Sequence, residues 1–154
     1  MAKTKQKPKS IVNRRARYDY SIEQTFIVGM SLTGAETKSL RLGHGQLSGA
    51  YVTIKDNELL LINATVNGTN GIRIVDSEQT RSRKLLAKRR EIEQMMQAKV
   101  QGKTIIPLEL LTKGRYIKLK IAIAKGKKSY DKRQTLKARS EQKQINSAIK
   151  QQYR

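Results

Sequence analysis

The segment Tyr116-Ile117-Lys118-Leu119-Lys120-Ile121-Ala122-Ile123-Ala124 places Ile117, Leu119, Ile121 and Ile123 at alternate positions, with Lys118 and Lys120 between them. A period of two puts neighbours on opposite faces, so the pattern predicts a strand half buried on its apolar side and cationic outside. The strand stops at Lys125-Gly126-Lys127-Lys128, where a basic tail begins. Upstream, Thr104 to Leu111 reads as its neighbour across Lys113-Gly114-Arg115. Before that, Ile92, Met95, Met96 and Val100 fall at helical spacing, with Lys88, Arg89 and Arg90 at the entry and Gly102 beyond the end.

The earlier half follows the same logic. Arg83 to Ala87 predicts a strand, and Asn67-Gly68-Thr69-Asn70-Gly71 a flexible loop. Ala50 to Lys55 and Glu58 to Ala64 form a predicted hairpin over Asp56-Asn57, residues that tolerate positive φ. Thr33 stands three residues before Glu36, the reciprocal capping spacing, and Gly43 lies where a left-handed end cap falls, so Gly34 to Leu42 should be a helix carrying Lys38 and Arg41. Tyr20 to Leu32, with Ile22, Thr25, Phe26, Ile27 and Val28, reads as a long strand bent at Gly29.

Many short strands with few helices predict a mainly β fold, an OB-like closed or partly open β-barrel with two or three flanking helices and a basic C-terminal tail. Three regions follow: a basic flexible arm over 1–13, the barrel over 14–124, and the tail over 125–154. The arm and tail lack the apolar content to offset ordering entropy, which predicts disorder without a partner and partial helix in the tail when bound.

The formal net charge is +21, and the tail holds ten Lys or Arg against Asp131 and Glu141. Such a chain repels itself and needs a densely anionic partner, with nucleic acid ahead of an anionic membrane. No apolar run reaches the roughly 20 residues that span a bilayer, and the polar start lacks a secretion signal. Cys is absent, which accords with a reducing cytoplasm and gives no thiolate metal site. His44 is the only histidine, and no complete G-x-x-x-x-G-K-[ST] phosphate loop occurs, so neither an enzyme, a metal site nor a cofactor is expected. Among Tyr18, Tyr20, Phe26, Tyr51, Tyr116, Tyr130 and Tyr153, Phe26 and Tyr51 read as packing. Tyr130, inside a charge run, reads as a base-stacking ring worth about 1–3 kcal/mol.

Several motifs occur together in one order: Asn13-Arg14-Arg15-Ala16-Arg17, Leu32-Thr33-Gly34-Ala35-Glu36-Thr37-Lys38-Ser39-Leu40-Arg41, Arg81-Ser82-Arg83-Lys84-Leu85-Leu86, and Ile121 to Lys128 followed by Tyr130-Asp131-Lys132-Arg133. With these the chain resembles the SsrA-binding protein (small protein B) family over nearly its whole length. The resemblance implies a monomeric cytoplasmic protein that binds the tRNA-like domain of transfer-messenger RNA and delivers it to stalled ribosomes. It also implies a tail that enters the vacant mRNA channel as a helix, with Tyr130 stacking near the decoding centre. The matching barrel set is Asn13, Arg14, Arg15, Tyr18, Glu36, Lys38, Arg41, Arg83, Lys84, Leu86 and Lys118. The tail set is Lys125, Lys127, Lys128, Tyr130, Asp131, Lys132, Arg133, Lys137 and Arg139. Within the barrel set, Glu36 reads first as a helix cap, Leu86 as core and Lys118 as a direct contact. The chain departs from the family at Tyr18, Ile27, Lys88 and Leu110-Leu111. The competing reading is a general single-strand RNA-binding or ribosome-associated OB protein.

Overall fold

A computed structural model describes residues 10–152; Lys3, Lys5, Lys7, Lys9 and Tyr153 lie outside the described residues. In chain order the strands are β1 (Ile11–Val12), β2 (Tyr20–Met30), β3 (Gly45–Gln46), β4 (Tyr51–Lys55), β5 (Glu58–Ile62), β6 (Thr65–Val66), β7 (Arg83–Leu86), β8 (Thr104–Leu111) and β9 (Lys118–Gly126). The helices are α1 (Ala16–Asp19), α2 (Gly34–Arg41), α3 (Asp76–Gln79), α4 (Arg89–Val100) and α5 (Ser129–Gln152).

The large sheet is antiparallel, in the order β1-β8-β4-β5-β7-β2-β9, and β8 also pairs with β9. The strands β8-β4-β5-β7-β2-β9 therefore form a ring. Its thin places are the single partnership Val52↔Ile105 between β4 and β8 and the pairs Gly29↔Leu86 and Met30↔Leu85 between β2 and β7. At the far end of β8, β1 adds itself through Ile11↔Leu110 and Val12↔Glu109. The ordered sheet thus starts inside the segment that the sequence reading assigns to the arm.

Local chemistry accounts for the elements. Asp56 and Asn57 take φ of 50° and 60°, giving the tight hairpin between β4 and β5. Thr33 Oγ1 accepts from the Glu36 amide while Glu36 Oε2 accepts from the Thr33 amide, so α2 begins in a full capping box. It ends before Gly43, at φ 87°. Inside the ring, Leu40, Leu59, Leu61, Met95, Leu119 and Ile121 are fully buried.

In β2 the register against β9 shifts between Ile22 and Gln24, and pairing continues through Gly29. Gly29 allows a close approach, since a Cβ there would lie 3.3 Å from the Cβ of Leu86. Two expectations are corrected. In α4 the buried residues are Met95 and Ala98, whereas Met96 is partly open and Val100 is 90% exposed. The sequence alone does not set the helix's rotation, and an alanine supplies the close contact. In β9 the alternation holds only at first, because Ala122 and Ala124 are buried on the opposite face beneath Ala16, with Ile106, Leu108, Tyr20 and Ile22. The small α1 covers that stretch of sheet.

Over Ser129–Gln152 the tail is one continuous helix, α5, with no buried residue. The stretch contains no Gly or Pro and is rich in Lys and Gln, residues that cost little in a helix. Asp131 Oδ2 accepts from the Lys128 amide at 3.3 Å and helps start it.

Candidate nucleic-acid interface

Strand register determines which side chains share the outer surface. Leu111 and Gly29 flank Lys118, and Leu86 lies beyond Gly29, giving a cross-strand row Leu111-Lys118-Gly29-Leu86. The neighbouring row is Val12-Glu109-Lys120-Ile27. Lys118 is exposed. Leu86 and Ile27, both 55% exposed, stand beside the lysines and not in the core. Leu86 therefore corrects the expectation of a core residue: in β7 the inward positions are Arg83 and Leu85.

Arg83 is corrected in the opposite sense. It is fully buried, so it is not a surface contact. Its Nε donates to Glu36 Oε1 at 3.0 Å, its Nη1 to the carbonyls of Ala64 and Arg81, and its Nη2 to that of Gln79. Glu36, only 2% exposed, also receives Arg81 Nε at 2.8 Å and Nη2 at 2.6 Å. Burial alone pushes the Glu36 carboxyl up. Hydrogen bonds from Arg81 and the Thr33 amide, with the charges of Arg83 and Arg81, outweigh that and hold it below its ordinary value. Burial pulls the Arg83 guanidinium down from its ordinary value, with Glu36 opposing. This node ties α2, α3 and β7 together. It shapes the surface from within.

Arg41 also has an internal task. Its Nη1 reaches the Thr112 carbonyl at 3.3 Å, and its Nη2 those of Gly114 and Arg115 at 3.0 and 2.8 Å. The guanidinium clamps the loop that presents Lys113, Arg115 and Tyr116 beside Lys118. In that loop Arg115 lies over the Tyr116 ring, 5.4 Å from its centroid, and the ring is 68% exposed. In the sequence, the signal for Tyr116 is its place two residues before Lys118 at the start of the cationic strand.

The remaining body residues divide between support and surface. Asn13 donates its side-chain amide to the Pro107 carbonyl at 3.0 Å and its backbone amide to Leu108, fastening β1 to β8. Arg14, Arg15 and Lys38 are exposed, while exposed Lys84 pairs with Glu58. Tyr18 is half-buried, with Lys132 Nζ 6.0 Å from its ring centroid.

At the tail's root, Lys125 still belongs to β9, opposite Ser21. Lys127 Nζ donates to the Arg17 carbonyl at 3.0 Å, and Lys132 Nζ lies 3.3 Å from Asp19 Oδ1. Lys132, Thr135 and Arg139 follow i, i+3, i+7 and share the helix face toward the body. Tyr130, Arg133 and Lys137 share the opposite face, where Tyr130 is 68% exposed. Lys128, Asp131, Arg133, Lys137 and Arg139 are all exposed.

A ring of antiparallel strands with a cationic outer row, followed by an exposed basic helix, defines a protein of the nucleic-acid-binding class. The family model described as SmpB protein matches residues 10–151. The chain belongs to this family. An SsrA-binding protein of Trichormus variabilis is 42% identical over 140 residues, covering 90% of each chain. One of Sphingomonas elodea is 44% identical over 129 residues, covering 82% of this chain and 81% of the relative. Among solved structures, a chain from "tmRNA-SmpB: a journey to the center of the bacterial ribosome" aligns with a TM-score of 0.65 at 34% identity, covering 78% of this chain and 85% of that one. No described helix is long and apolar enough to cross a membrane.

Proposed function

We propose that this protein binds the tRNA-like domain of SsrA RNA, the transfer-messenger RNA, through its strand ring and delivers it to stalled ribosomes for trans-translation. The ring is read as an OB-like barrel whose outer rows, centred on Lys118, meet the folded RNA. Tyr130, Arg133 and Lys137 on the outward face of α5 meet ribosomal RNA in the vacant mRNA channel, with Tyr130 stacking near the decoding centre. The protein acts as a cytoplasmic, monomeric binding partner and not as an enzyme, and the arm over 1–13 adds charge.

The observation that carries this reading is the division of cations. One set stands on a rigid surface backed by a core, and the other on a helix that buries nothing. A rigid face suits a preformed RNA fold. A solvated helix, whose isolated stability is marginal, suits an environment that orders it. If about 6–10 phosphates are engaged, affinity should fall about 10³–10⁵-fold between roughly 50 and 200 mM salt. A gel-shift comparison tests the specific part: at moderate salt SsrA RNA should bind far more tightly than an arbitrary RNA duplex. Equal affinity would leave only a general RNA binder.

A further inference from the structure

A cleft of about 320 Å³ lies where the β1–α1 turn, the outer face of the sheet and α5 meet. Arg14, Arg17 and Lys120 line it from the body, Arg139 lines it from the tail, and Val12 and Glu109 are among the rest of its wall. Four cations thus converge beside one carboxylate. None of the four forms an ion pair within 4.0 Å among the described residues, although Lys120 and Glu109 are cross-strand partners.

Arg139 reaches the cleft because the root of α5 is held against α1. Lys127 Nζ bonds the Arg17 carbonyl, the Lys127 amide bonds the Asp19 carbonyl at 2.9 Å, and Lys132 pairs with Asp19. Two turns beyond Lys132, Arg139 lies on the same helix face. Past this point α5 has no ion pair with the body among the described residues. Like charges gathered without matching acids repel one another, and an anion with several acceptor oxygens removes that repulsion. A phosphate suits the set, since guanidinium groups donate to it in planar, paired fashion.

We propose that this cleft is a phosphate site, filled by one backbone phosphodiester of bound RNA, through which the RNA fixes the direction of the tail helix relative to the ring. The inference deepens the proposed function and takes from it only that the polyanion is RNA. Body and tail then act on one group. Losing either wall should release it.

The test uses the full chain and fluorescence anisotropy with two labelled probes, the tRNA-like domain of SsrA RNA and an unrelated hairpin of equal length. Lys120→Gln and Arg139→Gln should each weaken binding about tenfold, and the double variant should lose little more, because partners of one group are not additive. Lys150→Gln, near the exposed end of α5, should change binding less than about twofold. Since the chain has no cysteine, dyes at Asn57→Cys and Gln151→Cys report the helix direction. RNA should narrow their distance distribution in the parent chain and leave it broad when Arg139→Gln is added. Losses that multiply in the double variant, or a distribution indifferent to Arg139→Gln, would overturn the shared site. Equal affinity for both probes would defeat the SsrA assignment while leaving the coupling between Lys120 and Arg139 intact.

Discussion

Glu36→Gln is the sharpest probe of how the body keeps its shape. Glutamine preserves the size and can still complete a capping box, so the substitution removes mainly the charge. It leaves Arg83, fully buried, without its counter-ion. Breaking such a pair costs about 3–5 kcal/mol, and the retained amide contact argues for about 3. For a chain of this size that lowers Tm by roughly 6–12 °C. Urea titration followed by far-ultraviolet circular dichroism and tyrosine fluorescence measures the loss, since the chain has no tryptophan. The double variant Glu36→Gln/Arg83→Met should be more stable than Glu36→Gln alone, because it removes the stranded charge. The same carboxyl sets an acid limb. Its folded pKa lies below the usual 4.5, so the unfolded chain takes up its proton first as pH falls. Its stabilisation is full above that value and disappears as pH drops through the folded pKa. Glu36→Gln should flatten this limb. A loss under about 1 kcal/mol, or a double variant less stable than the single, would refute the buried-pair account.

Arg41→Gln should free the Thr112–Arg115 carbonyls, cost about 2 kcal/mol and speed hydrogen exchange at residues 113–116, with weaker SsrA RNA binding; unchanged exchange would remove the clamp. Gly68→Ala should destabilise by about 1–3 kcal/mol, since its Cβ would lie 2.9 Å from the Ile72 carbonyl and 3.0 Å from the Ile74 amide, both backbone. Gly34→Ala, with nothing within 4 Å of the new carbon, should be neutral or stabilise by about 0.4–1 kcal/mol in the same melt. Tyr130→Phe should preserve peptide tagging on stalled ribosomes and Tyr130→Ala should impair it, because the ring face does the stacking. Equal defects would implicate the hydroxyl, whose described partner is Gln134 at 3.1 Å.

What could be read from the sequence was local. The capping box at Thr33 and Glu36, the hairpin at Asp56-Asn57 and the strand around Leu119 depend on neighbours within a few residues, and each is visible in spacing. What escaped depends on distant partners. Nothing near Arg83 distinguishes it from exposed Lys84, because its burial is set by Glu36, Ala64 and Gln79. Arg41 looked like a free surface cation because its acceptors lie more than 70 positions away. Leu86 is apolar enough for the core, yet strand parity turns it outward. The second burial layer over Ala122 and Ala124 required knowing that α1 folds back on β9.

The central claim is that the ring holds the RNA and the tail acts at the ribosome, and truncation after Lys128 tests it most directly. SsrA RNA affinity and peptide tagging would be measured on the same truncated protein. The account predicts an affinity within about tenfold of the full chain, the loss of one shared phosphate contact, together with complete loss of tagging. Affinity reduced a thousandfold, or tagging that survives, would contradict it.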